Sequence, residues 1–237
     1  MNKTQTNQDS IIELEKHMDE RIEKNGQITM KNHDNSKSIH LLSIIGEIEG
    51  HDSLGSSVKS TKYEELIPRL AKIETEPSIK GILVILHTMG GDVEAGLAIS
   101  EMIASLSKPS VSLVLGGSHS IGVPIAVSTD YSFIVESGTM VIHPVRMNGT
   151  VIGASQTFTY FRQMQDRITD FVCAHSNMKK ERFMELMTET EQLSKDIGSI
   201  LIGVQAVREG LINESGGMKE AYHKLKSMLE QTNNYTR

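Results

Sequence analysis

An uninterrupted apolar segment, Gly81 to Leu86, is the feature that most limits what this chain can fold into. Such a run, with no polar residue at every second position, is typical of a strand covered on both faces of a parallel sheet. Gly90-Gly91 follows, where we expect the strand to break, and Asp92 can cap a helix that extends to about Leu106. The segment therefore predicts a strand followed by a right-handed helical crossover.

The same alternation of strand and helix patterns continues along the chain. Gly116-Gly117 is expected to end the strand that follows the first crossover. The predicted strands cover residues 39–48, 81–86, 110–115, 131–135, 139–143 and 200–202. The predicted helices cover residues 63–73, 92–106, 121–127, 204–209 and 218–229, with one or two long helices over 154–187. This order predicts an α/β domain of stacked parallel strands.

The first 38 residues differ from the rest, because they are rich in Asn, Gln, Lys and Glu. Within them, Ser10 to Glu13 matches a capping box, which predicts a short amphipathic helix. Residues 26–38 are then expected to form a linker. A mobile tail and a docking helix both fit this segment, and we favour the tail. The chain is thus interpreted as a polar N-terminal extension over 1–38 and one domain over 39–237.

Composition argues against several functional classes. The 24 Lys and Arg residues are outnumbered by 30 Asp and Glu, which argues against electrostatic binding to nucleic acid or to an anionic membrane. The apolar runs are far shorter than the roughly 18 residues of a membrane span, and the polar N-terminus does not resemble a signal peptide. A single cysteine excludes an intrachain disulfide framework, and no metal-ligand spacing is found. We therefore expect a cytoplasmic protein without membrane insertion and without a metal.

Two glycine-rich segments each end a predicted strand and begin a helix. They are Gly90-Gly91 and the segment from Gly116 to Gly122. Backbone N–H groups at such helix starts lack partners within the helix, and together they could bind one oxyanion. A phosphate cradle is a competing interpretation, although neither segment matches a phosphate-binding pattern. Glycines that serve only tight turns are the third interpretation.

A serine and a histidine follow these segments at places that suit nucleophilic chemistry. Ser120 begins a predicted helix, where the helix dipole would favour a developing alkoxide, but a serine there is also a common helix cap. The surrounding residues do not match the G-x-S-x-G pattern of the α/β-hydrolases. His143 ends a short predicted strand directly before Pro144. His119 is a poor base for Ser120, since adjacent side chains cannot easily meet in hydrogen-bonding geometry.

Taken in order, four segments resemble the proteolytic subunit of the Clp protease. The resemblance is closer to its TepA-like branch, the translocation-enhancing peptidases of Gram-positive bacteria. It extends over about residues 39–225, and the 23 residues from Ser120 to His143 are close to the Ser–His separation of that family. The segments are ILVILHTMGG at 82–91, SHSIG at 118–122, MVIHP at 140–144 and QAVREGLI at 205–212.

The resemblance implies a ClpP/crotonase-like fold, which is an α/β spiral of β-β-α units with a protruding handle helix at about 154–187. It also implies a serine peptidase. Ser120 would be the nucleophile, and His143 would be the general base and then the acid for the leaving amine. The backbone N–H groups of Gly91 and Ile121 would form the oxyanion hole. Neither a metal nor an organic cofactor is implied.

The resemblance further implies a homo-oligomeric ring held together through the handle. The substrate would be a peptide or an unfolded protein, with signal peptides as one class, and an ATPase or the translocation machinery would be the partner. Two other classes stay open. One is a catalytically inactive oligomeric scaffold that acts by binding. The other is an acyl-CoA enzyme, for which an acidic residue would be expected in place of the Ser–His pair.

Three features depart from the Clp subunits. The acidic third member of the triad is ambiguous, because Asp196 lies nearer the last predicted strand whereas Glu191 matches the context after the handle. We favour Asp196, and a Ser–His dyad or a backbone carbonyl that holds the imidazole is the alternative. Met89 stands where the family has proline before the glycine pair. Gly46 to Gly50 and Gly216-Gly217 look more like the signal-peptide peptidase A family, a related fold that uses a Ser–Lys dyad.

Overall fold

The computed structural model of the chain describes residues 27–30, 38–146, 152–191 and 197–235. The strands are β1 (Gln27–Met30), β2 (Ser38–Glu49), β3 (Ser60–Lys62), β4 (Ile79–Gly91), β5 (Ser110–Ser118), β6 (Tyr131–Ile134), β7 (Thr139–Ile142), β8 (Ser199–Ile202) and β9 (Glu214–Ser215). The helices are α1 (Tyr63–Thr75), α2 (Val93–Ala104), α3 (Gly122–Val127), α4 (Ala154–Ala174), α5 (Lys180–Thr188), α6 (Val204–Arg208) and α7 (Met218–Tyr235).

The main sheet has the strand order β1-β2-β4-β5-β6-β9. Its pairings are parallel except for β1 with β2, which is antiparallel. The short strand β3 pairs parallel with β2. At the other end of β5, β7 pairs through Gly117 with Thr139 and is itself antiparallel to β8. Parallel strands joined by helical crossovers agree with the α/β architecture predicted from the sequence.

Both faces of the sheet are covered, as the apolar run of β4 predicts. Ile82, Val84 and Leu86 of β4 belong to a core shared with α1, α2 and α3, whereas Leu83 and Ile85 face α7. Full burial of each such aliphatic side chain contributes about 1.5–3 kcal/mol. Asp92 caps α2 as predicted, because its carboxylate accepts a hydrogen bond from the Ala95 N–H at 2.8 Å. This cap fixes where β4 turns into α2.

Gly90 and Gly91 are the last two residues of β4, whereas β5 continues through Gly116-Gly117 to Ser118, which corrects the prediction that the second glycine pair ends its strand. A Cβ at 91 would lie 2.2 Å from Ile48 O of the adjacent strand. At Gly116 and at Gly117 an imidazole ring lies on the backbone of β5. A Cβ at 116 would be 2.8 Å from the His87 ring, and a Cβ at 117 would be 2.8 Å from His119 Nε2. Gly116 thus makes room for a ring from the adjacent strand β4, and Gly117 for the ring of a residue two positions further along the chain.

Part of the N-terminal extension belongs to the sheet. Gln27–Met30, within the segment predicted as a linker, forms β1 and pairs antiparallel with residues 39–42 of β2. Met30 packs against the core on the α7 side of the sheet. The strand is therefore fixed both by hydrogen bonds and by burial. The helix predicted after Ser10 lies outside the described residues.

The predicted handle consists of two helices, α4 and α5, and we keep the name handle for this pair. The first half of α4 is exposed, with Phe158 67% and Tyr160 51% accessible, whereas Met164 and Phe171 are each 6% accessible. The second half therefore packs on the domain while the first extends from it. None of the helices in the described parts of the chain has the length and apolar character that a membrane span requires.

Candidate active site

Ser120 and His143 line one pocket of about 250 Å³. Ser120 lies two residues beyond the end of β5 and two residues before the start of α3, and His143 is the first residue after β7. Gly91, at the end of β4, and Ile121 line the same pocket. Strand ends in a parallel sheet meet at a common edge, which is why residues from three separate segments converge here.

The backbone of Ser120 has an unusual conformation. Its φ angle is 55°, and among the described residues it is the one non-glycine residue with a positive φ. Its N–H donates to Val141 O at 2.9 Å, and its carbonyl accepts from the Val123 N–H at 3.0 Å. A residue held in this sparsely populated region is more often found at functional sites than elsewhere. These bonds hold the serine at the wall of the pocket.

The neighbouring serine, Ser118, has a structural role. Its side chain is fully buried, and its hydroxyl donates to Gly122 O at 2.7 Å. The hydroxyl therefore closes the turn that leads into α3. Of the two serines in this segment, only Ser120 lines the pocket.

Gly90 lies directly against Ser120. Its φ is +92°, and a Cβ at this position would lie 2.7 Å from Ser120 Cβ and 3.3 Å from Ser120 Oγ. A side chain would thus be both strained and in collision with the serine. The need for glycine at 90 is a feature of the site that the sequence did not reveal, because it depends on a contact across 30 residues.

His143 is oriented by a backbone carbonyl. Its Nδ1 atom lies 2.7 Å from Pro144 O. A carbonyl oxygen can only accept, so in this contact the neutral imidazole carries its proton on Nδ1. The unprotonated Nε2 can then serve as a proton acceptor, which is the state that a general base requires. A backbone carbonyl holding the imidazole was one of the alternatives that the sequence left open.

Asp196 and Glu191 are the two candidates for the acidic third member of the catalytic triad. Asp196 lies outside the described residues, which resume at 197. Glu191 is exposed, and its N–H donates to Glu189 Oε1 at 3.1 Å. Gly198 lies against His143, because a Cβ at 198 would be 2.8 Å from His143 Cβ. The chain therefore passes beside the histidine two residues after Asp196.

His119 precedes Ser120 but does not line the pocket. The ring is half-buried, and its Nε2 lies 2.8 Å from Thr139 Oγ1. Burial lowers the pKa of His119, and the charges of His87 and His143 lower it further. Both effects favour the neutral form of the ring. Its position agrees with the expectation that it is not the base for Ser120, since its Nε2 is directed at a threonine.

Most of the residues that line the pocket are apolar. Arg146 and Gln165 add polar groups to the lining. Next in sequence to the lining residues Val93 and Ile168, the guanidinium of Arg167 in α4 donates to both carboxylate oxygens of Glu94 in α2, at 2.6 and 3.1 Å. The apolar lining residues are Met89, Val93, Ile121, Val123, Ile142, Pro144, Val145, Ile168, Phe183 and Met187. Within the described residues, no three His, Cys, Asp or Glu side chains are grouped so that they could hold a metal ion.

Fold and site together define an α/β protein with a serine and a histidine at the strand ends of a parallel sheet, beside an apolar pocket. The Clp protease family model matches residues 8–216 of the chain. The chain therefore belongs to the Clp protease family, as the four sequence segments predicted.

Individual relatives agree with this assignment. The chain is 51% identical over 212 residues to the translocation-enhancing protein TepA of Halalkalibacterium halodurans, covering 90% of this chain and 82% of that protein. It is 30% identical over 114 residues to the proteolytic subunit of the ATP-dependent Clp protease of Leuconostoc citreum, covering 47% of this chain and 52% of that subunit. The predicted similarity to the TepA-like branch is thus confirmed.

A solved structure supports the fold. A mutant ClpP1 from Listeria monocytogenes superimposes with a TM-score of 0.60 at 18% identity, covering 79% of this chain and 95% of that structure. At this identity the likeness concerns the fold alone. It confirms the predicted ClpP-like α/β architecture.

Proposed function

We propose that the protein is a serine endopeptidase of the Clp type that cleaves peptides or unfolded proteins. The observation that carries the proposal is the placement of Ser120 and His143 in one pocket, with Nδ1 of the imidazole 2.7 Å from Pro144 O, a contact that in the neutral ring makes Nε2 the acceptor. Membership of the Clp protease family supports the same reaction class. No metal and no cofactor enter the proposed reaction.

In the proposed reaction, Ser120 Oγ attacks the carbonyl carbon of the peptide bond while His143 Nε2 takes the hydroxyl proton. The backbone N–H groups of Gly91 and Ile121 stabilise the oxyanion of the tetrahedral intermediate. The C–N bond then breaks, and His143 returns the proton to the leaving amine. Water, activated by the same histidine, hydrolyses the acyl-enzyme and restores the Ser120 hydroxyl. The apolar walls of the pocket would receive a side chain of the substrate.

Hydrolysis of fluorogenic peptides tests this proposal. Ser120→Ala and His143→Gln should each reduce turnover to background, because either change removes the proton transfer from the hydroxyl. Ser118→Ala is the matched control, since its buried hydroxyl closes a turn and is not part of the reaction. Full turnover in Ser120→Ala would contradict the proposal.

We also propose Asp196 as the residue that completes the orientation of His143. Two observations support this proposal: Asp196 precedes Gly198 by two residues in the sequence, and Gly198 lies against His143, with a Cβ at 198 only 2.8 Å from His143 Cβ. Asp196→Asn should therefore lower peptide hydrolysis strongly, whereas exposed Glu191→Gln should leave it unchanged. The assembly must have the same mass in both variants as in the unmodified chain, because a broken assembly could by itself lower the activity. Full activity in Asp196→Asn would leave the Pro144 carbonyl as the proposed support.

The proposed assembly is a homo-oligomeric ring in which the handle makes subunit contacts. The exposed aromatic residues Phe158 and Tyr160 support this, because a lone chain would leave them in water. Light scattering should give a mass of several chains, and Phe158→Ser should lower it. A single-chain mass at micromolar concentration would refute the ring.

The relative TepA is named a translocation-enhancing protein, which supports a proposed role in preprotein translocation. We further propose signal peptides as one substrate class and an ATPase or the translocation machinery of the cytoplasm as the partner. The name of the relative describes enhancement and no peptidase activity, so an inactive scaffold is the second candidate function. Undiminished enhancement of translocation by Ser120→Ala would favour the scaffold. A Ser–Lys dyad is less favoured, since none of the described residues that line the pocket is a lysine.

A further inference from the structure

The strands that carry Ser120 and His143 are joined by few backbone contacts. β5 and β7 pair at Gly117 with Thr139. Beyond the end of β5, the Ser120 N–H donates to Val141 O at 2.9 Å. The distance between the two reactive side chains therefore depends on how firmly these two short stretches are held together.

The His119 side chain provides one more connection between these strands. Its Nε2 lies 2.8 Å from Thr139 Oγ1, next to the point where β5 and β7 pair. The backbone of His119 is fixed as well. Its N–H donates to Thr88 O of β4 at 3.1 Å, and its carbonyl accepts from the Gly122 N–H of α3 at 2.8 Å. His119 is thus anchored through its backbone to β4 and α3 and through its ring to β7.

The imidazole has little freedom to move away from Thr139. Its ring lies on the backbone of β5, since a Cβ at position 117 would be 2.8 Å from His119 Nε2. The glycine at 117 therefore makes room for this ring. An apolar residue at 119 would remove the bond to Thr139, whereas a glutamine amide could replace the ring nitrogen as its partner.

We propose that His119 is a positioning residue that joins β5 to β7 through Thr139 and so sets the distance between Ser120 Oγ and His143 Nε2. The proposal rests on the function proposed above, in which these two side chains exchange a proton. His119 acts in this role through the strands and not on the substrate. A misplacement of about 1 Å between reacting groups can lower the rate by about a hundredfold. A small slip between β5 and β7 therefore has a measurable effect.

The test measures the rate of Ser120 modification by a fluorophosphonate in the full-length protein. Thr139→Val removes the hydroxyl but keeps the shape of the side chain, and His119→Ala removes the ring. Each should lower the maximal rate of modification by about ten- to a hundredfold and leave the affinity for the reagent unchanged. The double variant should be no slower than the slower single variant, because both changes remove the same bond. Thr139→Ser and His119→Gln should recover most of the rate.

His87→Gln is the matched control. Its imidazole lies on Gly116 as that of His119 lies on Gly117, but His87 is exposed and does not line the pocket. Labelling of this variant should equal that of the unmodified chain. A wild-type rate of labelling in a folded Thr139→Val protein would overturn the proposed role of His119, and so would losses that add in the double variant. Neither result would affect the proposed peptidase function. A wild-type protein that is not labelled at all would overturn the proposed function and, with it, this role.

Discussion

Replacing Gly90 by alanine tests whether the position of Ser120 depends on the close approach of β4. Gly90 has a φ of +92°, which a residue with a Cβ adopts only with strain. The new Cβ would lie 2.7 Å from Ser120 Cβ and 2.8 Å from His119 O. Both atoms belong to or adjoin the backbone, so no flexible side-chain end can turn away. Either β4 or the Ser120 segment must move.

The size of the effect follows from these distances. Ordinary carbon–carbon contacts are about 3.5–4.0 Å, so Ser120 must shift by about 1 Å if it alone yields. A shift of that size predicts a loss of about a hundredfold in the rate of Ser120 modification. Backbone strain of this kind lowers the free energy of unfolding by about 1–3 kcal/mol. Gly90→Ala should therefore stay folded but react slowly.

Gly210→Ala separates strain from the effect on the site. Gly210, which follows the end of α6, also has a positive φ, +76°. A Cβ at this position would lie 3.0 Å from the backbone of Asn177. Urea unfolding should show losses of similar size in the two variants, whereas fluorophosphonate labelling should fall only in Gly90→Ala. A wild-type labelling rate in a Gly90→Ala protein that is destabilised as expected would refute the reasoning about Ser120.

Two further predictions concern charged groups. Because burial lowers the pKa of His119, the unfolded chain binds more protons, so this group stabilises the fold above pH 6.5 and the contribution is lost as pH falls. Urea unfolding between pH 7 and pH 5 should show a smaller loss in His119→Gln than in the unmodified chain, and equal losses would contradict this. A double-mutant cycle on Glu94 and Arg167, which are 44% and 52% exposed, should give a salt-sensitive coupling of about 0.2–1 kcal/mol. The exposed Lys180–Asp170 pair serves as its control, and a coupling independent of salt would count against an exposed ion pair.

The sequence predicts the fold well where burial alone decides it. The apolar run of β4 predicts a strand covered on both faces, and its alternate residues do pack against helices on opposite sides of the sheet. Asp92 predicts the start of α2, because capping depends on residues within one turn. Both the strand and the start of the helix depend on residues that are close in sequence, and a sequence pattern can therefore predict them.

Features that depend on contacts between distant segments were not predictable in this way. Gly116-Gly117 was interpreted as a break, but β5 continues to Ser118, and Gly116 is packed against the ring of His87 from β4. The strand β1 was missed because it depends on two contacts with distant segments. Its four residues pair with β2, and Met30 packs against the core that β4 shares with α7. The bond from His119 to Thr139 likewise joins residues that only the fold brings together.

Locating the residue that reacts with a fluorophosphonate tests the central claim most directly. The intact protein would be labelled, digested and examined by mass spectrometry, together with Ser120→Ala and the Ser118→Ala control. The account predicts one adduct on Ser120, its loss in Ser120→Ala and its retention in Ser118→Ala. An adduct on Ser118, or labelling that persists in Ser120→Ala, would contradict the claim that Ser120 is the nucleophile.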